Sequence, residues 1–253
     1  MRRRISMSTL AIAIADIHGE IEVLEKILEE HPNAQYILIA GDLTNFGREK
    51  EAEKVLAALE RRFSQSNLYF VAGNCDTISA RNVFSRHPGY IEGKCAQILE
   101  SRDIASNASN PLYVIGCGGG LVHTGLTPFE RKDEEMASSL QAGFLQCNFS
   151  NPSAEQKEGG PKPLIVLTHT PPNGTYADMR HMRHVGSSSF ISFLYEYKPL
   201  LWICGHIHEG RSIQAEDETL VINPGPAAHG SYALISFEQR EGSYHAVAEL
   251  RGI

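Results

Sequence analysis

The sequence predicts an α/β fold, a sheet with helices packed on its faces, and three observations carry that prediction. Short, continuous apolar runs alternate with amphipathic helical stretches as far as Ala72, in a βαβαβ rhythm. The chain has 253 residues, enough to bury a large core as one unit. Polar residues able to bind metal recur directly after the apolar runs, and ligands of α/β sheets gather at the carboxyl ends of strands.

The elements follow in order. Leu10 to Ala15 is a short apolar run with β-branched residues, as a buried strand requires. Gly19 to Glu30 places Ile21, Leu24, Ile27 and Leu28 at helical spacing, and His31-Pro32 ends the helix because proline disfavours a helical residue before it. Tyr36 to Ala40 is a second buried strand. Arg48 to Phe63 carries Ala52, Val55, Leu56 and Leu59 on one face and charges elsewhere, an amphipathic helix. Leu68 to Ala72 is the third strand.

Beyond that point the rhythm loosens. Leu112 to Ile115 is a strand running into Gly116-Cys117-Gly118-Gly119-Gly120, and Lys132 to Cys147 contains a helix. Asn148 to Pro163, rich in Ser, Pro, Gly and charge, reads as an exposed loop. Leu164 to Thr168 and Leu200 to Cys204 are apolar strands with a helix at Ser188 to Tyr197 between them. Leu220 to Ile222, Tyr232 to Phe237 and Tyr244 to Leu250 look like meandering strands of a second sheet. No repeat or linker divides the chain, so a single domain over 1–253 is expected.

Composition narrows the function. A hydrophobic fraction of 42% with 21% charged residues is that of a globular protein, and the formal net charge of −7 argues against a broad nucleic-acid surface. Five cysteines (Cys75, Cys95, Cys117, Cys147, Cys204) form no Cys-x-x-Cys pair and read as reduced thiols, which places the protein in the cytoplasm. No apolar run reaches the roughly 18–20 residues of a membrane helix. Arg2-Arg3-Arg4 before Leu10 to Ala15 imitates a secretory signal, but the apolar stretch is too short; residues 1–8 are read as a frayed leader.

Five polar motifs occur at or just after strand-like runs: Asp16-Ile17-His18, Gly41-Asp42, Gly73-Asn74-Cys75-Asp76, Thr168-His169 and Gly205-His206-Ile207-His208. Each has a plain structural explanation alone. Asp16 and Asp42 could cap helices, Asn74 could serve a turn, and a lone histidine after a strand is usually a hydrogen bonder. The set resists that explanation. It supplies Asp16, Asp42, Asn74 and four His at strand ends that converge on one crevice, the donor set of a site for two divalent cations.

In these motifs and their order the chain resembles the calcineurin-like metallophosphoesterase superfamily, over Asp16 to His208 and the Asn223-Pro224-Gly225 turn. Thr168 to Gly174 and His184 to Ser187 look like a branch of small, single-domain phosphodiesterase-like members. The resemblance implies a four-layer sandwich of two mixed β-sheets flanked by helices. It also implies one metal held by Asp16, His18 and His208, a second by Asn74, His169 and His206, and Asp42 bridging both. Imidazole and carboxylate ligands suit Mn, Fe, Zn, Ni or Co, with Mn favoured. The implied reaction is hydrolysis of a small phosphate ester, most readily a phosphodiester, by a metal-bridging hydroxide.

Cys75 departs from the pattern, since many members have histidine there to stabilise the transition state or protonate the leaving group. A thiol with a reference pKa near 8.5 is a weaker partner than imidazolium, so Asn74, Cys75 and Asp76 stand as catalytic candidates with the proton donor open. Cys75 could equally be a small packing residue, Asp76 could serve only the turn, and His123, His181 or His184 could supply the proton. His184, Gly186 and Ser187 precede a helix whose free N–H groups would favour phosphate, and are candidate substrate contacts. Competing functions are a non-catalytic scaffold of the same fold that binds a protein, a phosphomonoesterase, or a nuclease.

Overall fold

A computed structural model describes residues 9–103, 108–123, 125–149, 161–240 and 243–253. Residues 1–8, expected as a frayed leader, and the central part of the expected 148–163 loop, 150–160, lie outside the described residues. The strands are β1 (Thr9–Ile14), β2 (Tyr36–Ala40), β3 (Leu68–Val71), β4 (Cys95–Asp103), β5 (Ala108–Cys117), β6 (Gly120–Leu121) and β7 (Glu130–Arg131). They continue with β8 (Lys162–Thr168), β9 (Met179–Arg180), β10 (Arg183–His184), β11 (Pro199–Ile203), β12 (Ser212–Glu216), β13 (Thr219–Asn223), β14 (Ser231–Arg240) and β15 (Ser243–Gly252). The helices are α1 (Ile21–Glu30), α2 (Glu49–Glu60), α3 (Ile78–Phe84), α4 (Asp133–Phe144) and α5 (Ser188–Tyr197).

Two mixed sheets form the centre. The first runs β15-β14-β1-β2-β3, with β1, β2 and β3 parallel and β14 antiparallel to β1. The second runs β12-β13-β11-β8-β5-β4, with four parallel strands between antiparallel edges. The alternation of side chains along each strand builds the layers. In β1, Ala11 and Ala13 point between the sheets, whereas Ile12 and Ile14 point outward to the helices. The outer face of the first sheet packs on Leu24, Ile27 and Leu28 of α1 and Val55, Leu56 and Leu59 of α2. The outer face of the second meets Met136 and Leu140 of α4 and Phe190, Phe193 and Leu194 of α5, around Trp202. Helix, sheet, sheet and helix make the expected four layers.

Both faces of the parallel strands are therefore buried, which is why they read as unbroken apolar runs. The helix ends follow local chemistry too. The Ser187 hydroxyl accepts the Phe190 N–H and caps α5, and Thr77 caps α3 through Ala80 N–H.

Two expectations need correction. The C-terminal strands do not form one meander: β13 lies parallel to β11 in the second sheet, whereas β14 and β15 complete the first, beside β1. Strand patterning tells which face is apolar but not which neighbour a strand takes. The cysteines are not all reduced, because Cys95 at the start of β4 is joined to Cys147 beyond α4. The two are 52 residues apart, and only the packing of α4 beside β5 brings them together. Cys75, Cys117 and Cys204 are free. The pairing removes the support that cysteine usage lent to a cytoplasmic location. Among the described residues, no helix is long and apolar enough to cross a membrane.

Candidate metal centre

The loops after β1 and β2 run side by side, bonded through Asp16 N–H to Gly41 O (3.0 Å), His18 N–H to Asp42 O (2.9 Å) and Gly19 N–H to Leu43 O (3.0 Å). Asp16, His18, Asp42 and His206 all take left-handed backbone conformations, with φ of 55°, 49°, 49° and 67°. Such conformations cost a non-glycine residue about 1–2 kcal/mol, less for Asp and His. Concentrating four of them here turns the side chains of separate strands toward one point.

Glycines permit the close approach. A Cβ on Gly73 would fall 2.0 Å from Asp42 Oδ1 and 2.2 Å from its backbone nitrogen. One on Gly41, where φ is +88°, would strike the His169 ring at 2.4 Å. These positions exclude any side chain, so the glycines of the Gly-Asp and Gly-Asn motifs are spacers that bring β2, β3 and β8 together.

Asp42 lies at the centre. Its Oδ1 accepts the Cys75 N–H at 2.8 Å, while Oδ2 lies 3.8 Å from His18 Nε2 and 3.5 Å from His169 Nε2. Burial alone would raise its pKa, but His169 and then His18 outweigh burial and hold the carboxyl well below the usual range. Asp16 Oδ2 accepts the His206 N–H at 3.1 Å, and Oδ1 faces His208 Nε2 at 3.4 Å and His18 Nε2 at 3.9 Å. Buried Oδ1 takes no hydrogen bond.

His169 sits fully buried, with Nδ1 donating to Ala40 O at 2.7 Å. That bond leaves Nε2 of the neutral ring as an acceptor, and it faces Asn74 Oδ1 at 2.8 Å and Asp42 Oδ2 at 3.5 Å. Three acceptors cannot converge without a proton or a cation among them. Burial pushes His169 down, but the Asp42 carboxylate prevails and raises it to about 9, so without metal a proton is held there. His206 is pushed down to about 4 by burial and by neighbouring His169, whereas His208 is raised by Asp16. The donor atoms form overlapping groups, Asp16 with His18 and His208, and Asp16 with Asp42 and His169, each within 4.8 Å. Orphaned Asp16 Oδ1 and the crowded acceptors around His169 Nε2 fit divalent cations.

The remaining candidates are placed as follows. Cys75 Sγ lies within 4.8 Å of ligand atoms on His18 and Asp42. Burial first, then the Asp42 charge, pushes its thiol far up, so it is protonated. Asp76 is fully buried and accepts Thr44 N–H and Oγ–H (2.8 Å each), Gly73 N–H (2.8 Å) and Leu43 N–H (3.2 Å), locking the second motif to the third. His184, Gly186 and Ser187 belong to a separate network. Asp178 holds His184 Nδ1 (2.6 Å) and the Gly186 N–H (2.9 Å), and the Ser187 hydroxyl donates to Asp133. Asn223 braces the last motif, since its Nδ2 donates to Ile207 O at 2.8 Å and its Oδ1 accepts Gly225 N–H at 2.9 Å.

Two residues at the centre carry no signal in the sequence. Arg180 lines a cavity of about 260 Å³ with His206, Ile207, His208 and Glu209. His229 has its ring centroid 6.3 Å from that of His208, and the neighbouring Ala228 N–H donates to Asp16 O at 3.0 Å. Neither stands in a motif, and a surface arginine or isolated histidine has no periodicity to reveal it.

Fold and centre together define an α/β protein of the metallophosphoesterase type. The chain belongs to the calcineurin-like phosphoesterase family, which it matches over residues 11–210. It is 26% identical over 226 residues to the uncharacterised protein MJ1162 of Methanocaldococcus jannaschii, covering 87% of this chain and 90% of that one. Among solved structures it resembles TT1561 of Thermus thermophilus, with a TM-score of 0.60 and 18% identity over 95% of this chain and 99% of that one. It likewise resembles a dimetal phosphatase from Danio rerio, with a TM-score of 0.58 and 12% identity over 95% and 98% of the two chains. At those identities the structural likenesses show the fold.

Proposed function

We propose that the protein is a metal-dependent phosphoric ester hydrolase with a dinuclear centre, acting most readily on small phosphodiesters. The observation that carries the reading is the convergence of His169 Nε2, Asn74 Oδ1 and Asp42 Oδ2, three acceptors in one buried space. Asp16, His18 and His208 would hold one cation, Asn74, His169 and His206 the other, and Asp42 would touch both, with Mn²⁺ favoured. A pair of divalent cations supplies a nucleophile from water at neutral pH and neutralises charge on the transferring phosphate.

The chain's own residues prepare that chemistry. Ala40 O fixes the His169 tautomer, so Nε2 offers its lone pair inward. The Cys75 N–H orients Asp42, and the His206 N–H orients Asp16. Cys75, protonated at the rim of the centre, can donate at most a weak S–H bond, so leaving groups that depart without protonation react best. Asp76 holds the loop that presents Asn74 and Cys75. Of the three candidate substrate contacts, His184 is exposed and held by Asp178, free to meet a ligand through Nε2. The Danio rerio relative, named a dimetal phosphatase, supports the same chemistry.

The test is hydrolysis of bis-p-nitrophenyl phosphate and p-nitrophenyl phosphate by protein reconstituted with Mn²⁺, Ni²⁺ or Zn²⁺, alongside metal analysis. Turnover with the diester preferred is expected. Two bound equivalents with no turnover for any metal would leave a scaffold and end the enzyme reading.

A further inference from the structure

Arg180 occupies the first corner of a two-residue hairpin in which β9 and β10 pair Arg180 with Arg183. The turn residues His181 and Met182 both have positive φ, 47° and 63°, a type I′ arrangement that ordinarily selects Asn and Gly. Two bulky residues keep it because the hairpin is pinned from both sides. At its tip, His181 N–H donates to Glu209 Oε2 at 3.1 Å and His181 Nε2 lies 3.3 Å from Glu209 Oε1. At its base, Asp178, fully buried, holds His184 and Gly186. Glu209 directly follows His208, so the hairpin is tied to the turn bearing a proposed metal ligand.

Two exposed arginines face each other across this hairpin. Residues directly opposed across an antiparallel pair project from the same face, and like charges there repel. Arg180 and Arg183 are such a pair, and neither has an acidic partner among the described residues. The one acid lining the cavity, Glu209, is held by His181. Arg180 shares that cavity of about 260 Å³ with His206 and His208, room for a phosphate group and a few further atoms. The cations would neutralise the scissile phosphate, which leaves the guanidinium available for another negative group.

We propose that Arg180, backed by Arg183, is a specificity-determining residue that binds a second anionic group carried by the substrate beside its scissile phosphate. The favoured substrates are phosphate esters bearing an adjacent carboxylate or further phosphate. Guanidinium suits both, because its paired N–H donors match the oxygens of either group. The assignment rests on the dinuclear phosphoesterase reading.

The experiment is calorimetric binding of phosphonoacetate and methylphosphonate to Mn²⁺-loaded protein, since only the first probe carries a carboxylate. Wild type, Arg180→Ala, Arg180→Lys and Arg183→Ala are compared at equal metal content. Arg180→Ala is expected to weaken phosphonoacetate by about tenfold or more, the scale of a charged hydrogen-bonded pair, and methylphosphonate by less than about twofold. Arg180→Lys recovers part of that loss, and Arg183→Ala shows a smaller loss in the same direction. No change in Arg180→Ala, or an equal loss for both probes, would overturn the assignment. If metal-loaded wild type bound neither probe, the dinuclear phosphate site itself would be refuted, an outcome distinct from the other two.

Discussion

His169 donates its Nδ1 proton to the carbonyl of Ala40 at 2.7 Å, so the last residue of β2 sets the tautomer of a ring presented after β8. One sheet thus controls a donor atom supplied by the other, and the centre exists only where both sheets end together.

Removing a proposed ligand should empty the proposed second metal position. Asn74→Ala and His169→Ala are each expected to lose one metal equivalent and more than about 100-fold in kcat, since even groups behind metal ligands are worth about 10–100-fold. Metal analysis with steady-state kinetics checks this; full activity in either variant would show the ligand assignment to be wrong.

Cys75→His should place an imidazole near where the proposed reaction would have its departing oxygen. The fold is retained, and the rate rises more for esters with poor leaving groups than for those with good ones. A series of aryl phosphodiesters of graded leaving-group pKa measures the difference. An equal effect across the series would place Cys75 away from that oxygen.

Gly73→Ala should damage the centre from the backbone. The added Cβ would sit 2.0 Å from Asp42 Oδ1, and relieving it must displace Asp42. A stability loss of about 1–3 kcal/mol is expected, as for overpacked cores, together with reduced metal content. Denaturant titration and metal analysis follow both.

His87 gives a pH dependence away from the metal. Its Nδ1 accepts the Gly89 N–H at 2.9 Å, and burial lowers its pKa despite Glu60 at 3.2 Å from Nε2. A histidine whose folded pKa lies below its unfolded value takes up fewer protons when folded. Its contribution is therefore fully present above the unfolded value of about 6.5 and declines as pH falls through that value toward the folded one. Stability measured between pH 7.5 and 5, about the usual imidazole range, should fall less steeply in His87→Gln than in wild type. Parallel slopes would remove His87 from the account.

The Cys95–Cys147 bond closes a span of 52 residues. Loop-closure entropy of that length corresponds to about 4 kcal/mol, which Cys95→Ser should forfeit in unfolding experiments while metal content stays unchanged.

Much of this fold is legible in the sequence for a physical reason. Buried parallel strands must be apolar on both faces, so β1, β2, β3, β8 and β11 announce themselves, and the ligand motifs follow directly at their ends. The helices α1, α2 and α5 are equally plain from their apolar stripes. Edge strands are not: β4 and β12 are partly exposed and their pattern is weak, while the pattern of β14 and β15 does not reveal that they join the first sheet. The short helix α3 escapes because seven residues hold too few turns for a periodic signal.

The sequence by itself determined the α/β class, the seven candidate ligands and the family they resemble, because each depends on residue type and local order. Only the tertiary structure decided which strands neighbour one another, which cysteines pair, and what surrounds each ligand. Those depend on contacts between distant segments. Ala40 against His169, Asp76 against Thr44, and Arg180 beside His206 and His208 are fixed by how two sheets and a hairpin pack, and no local pattern encodes them.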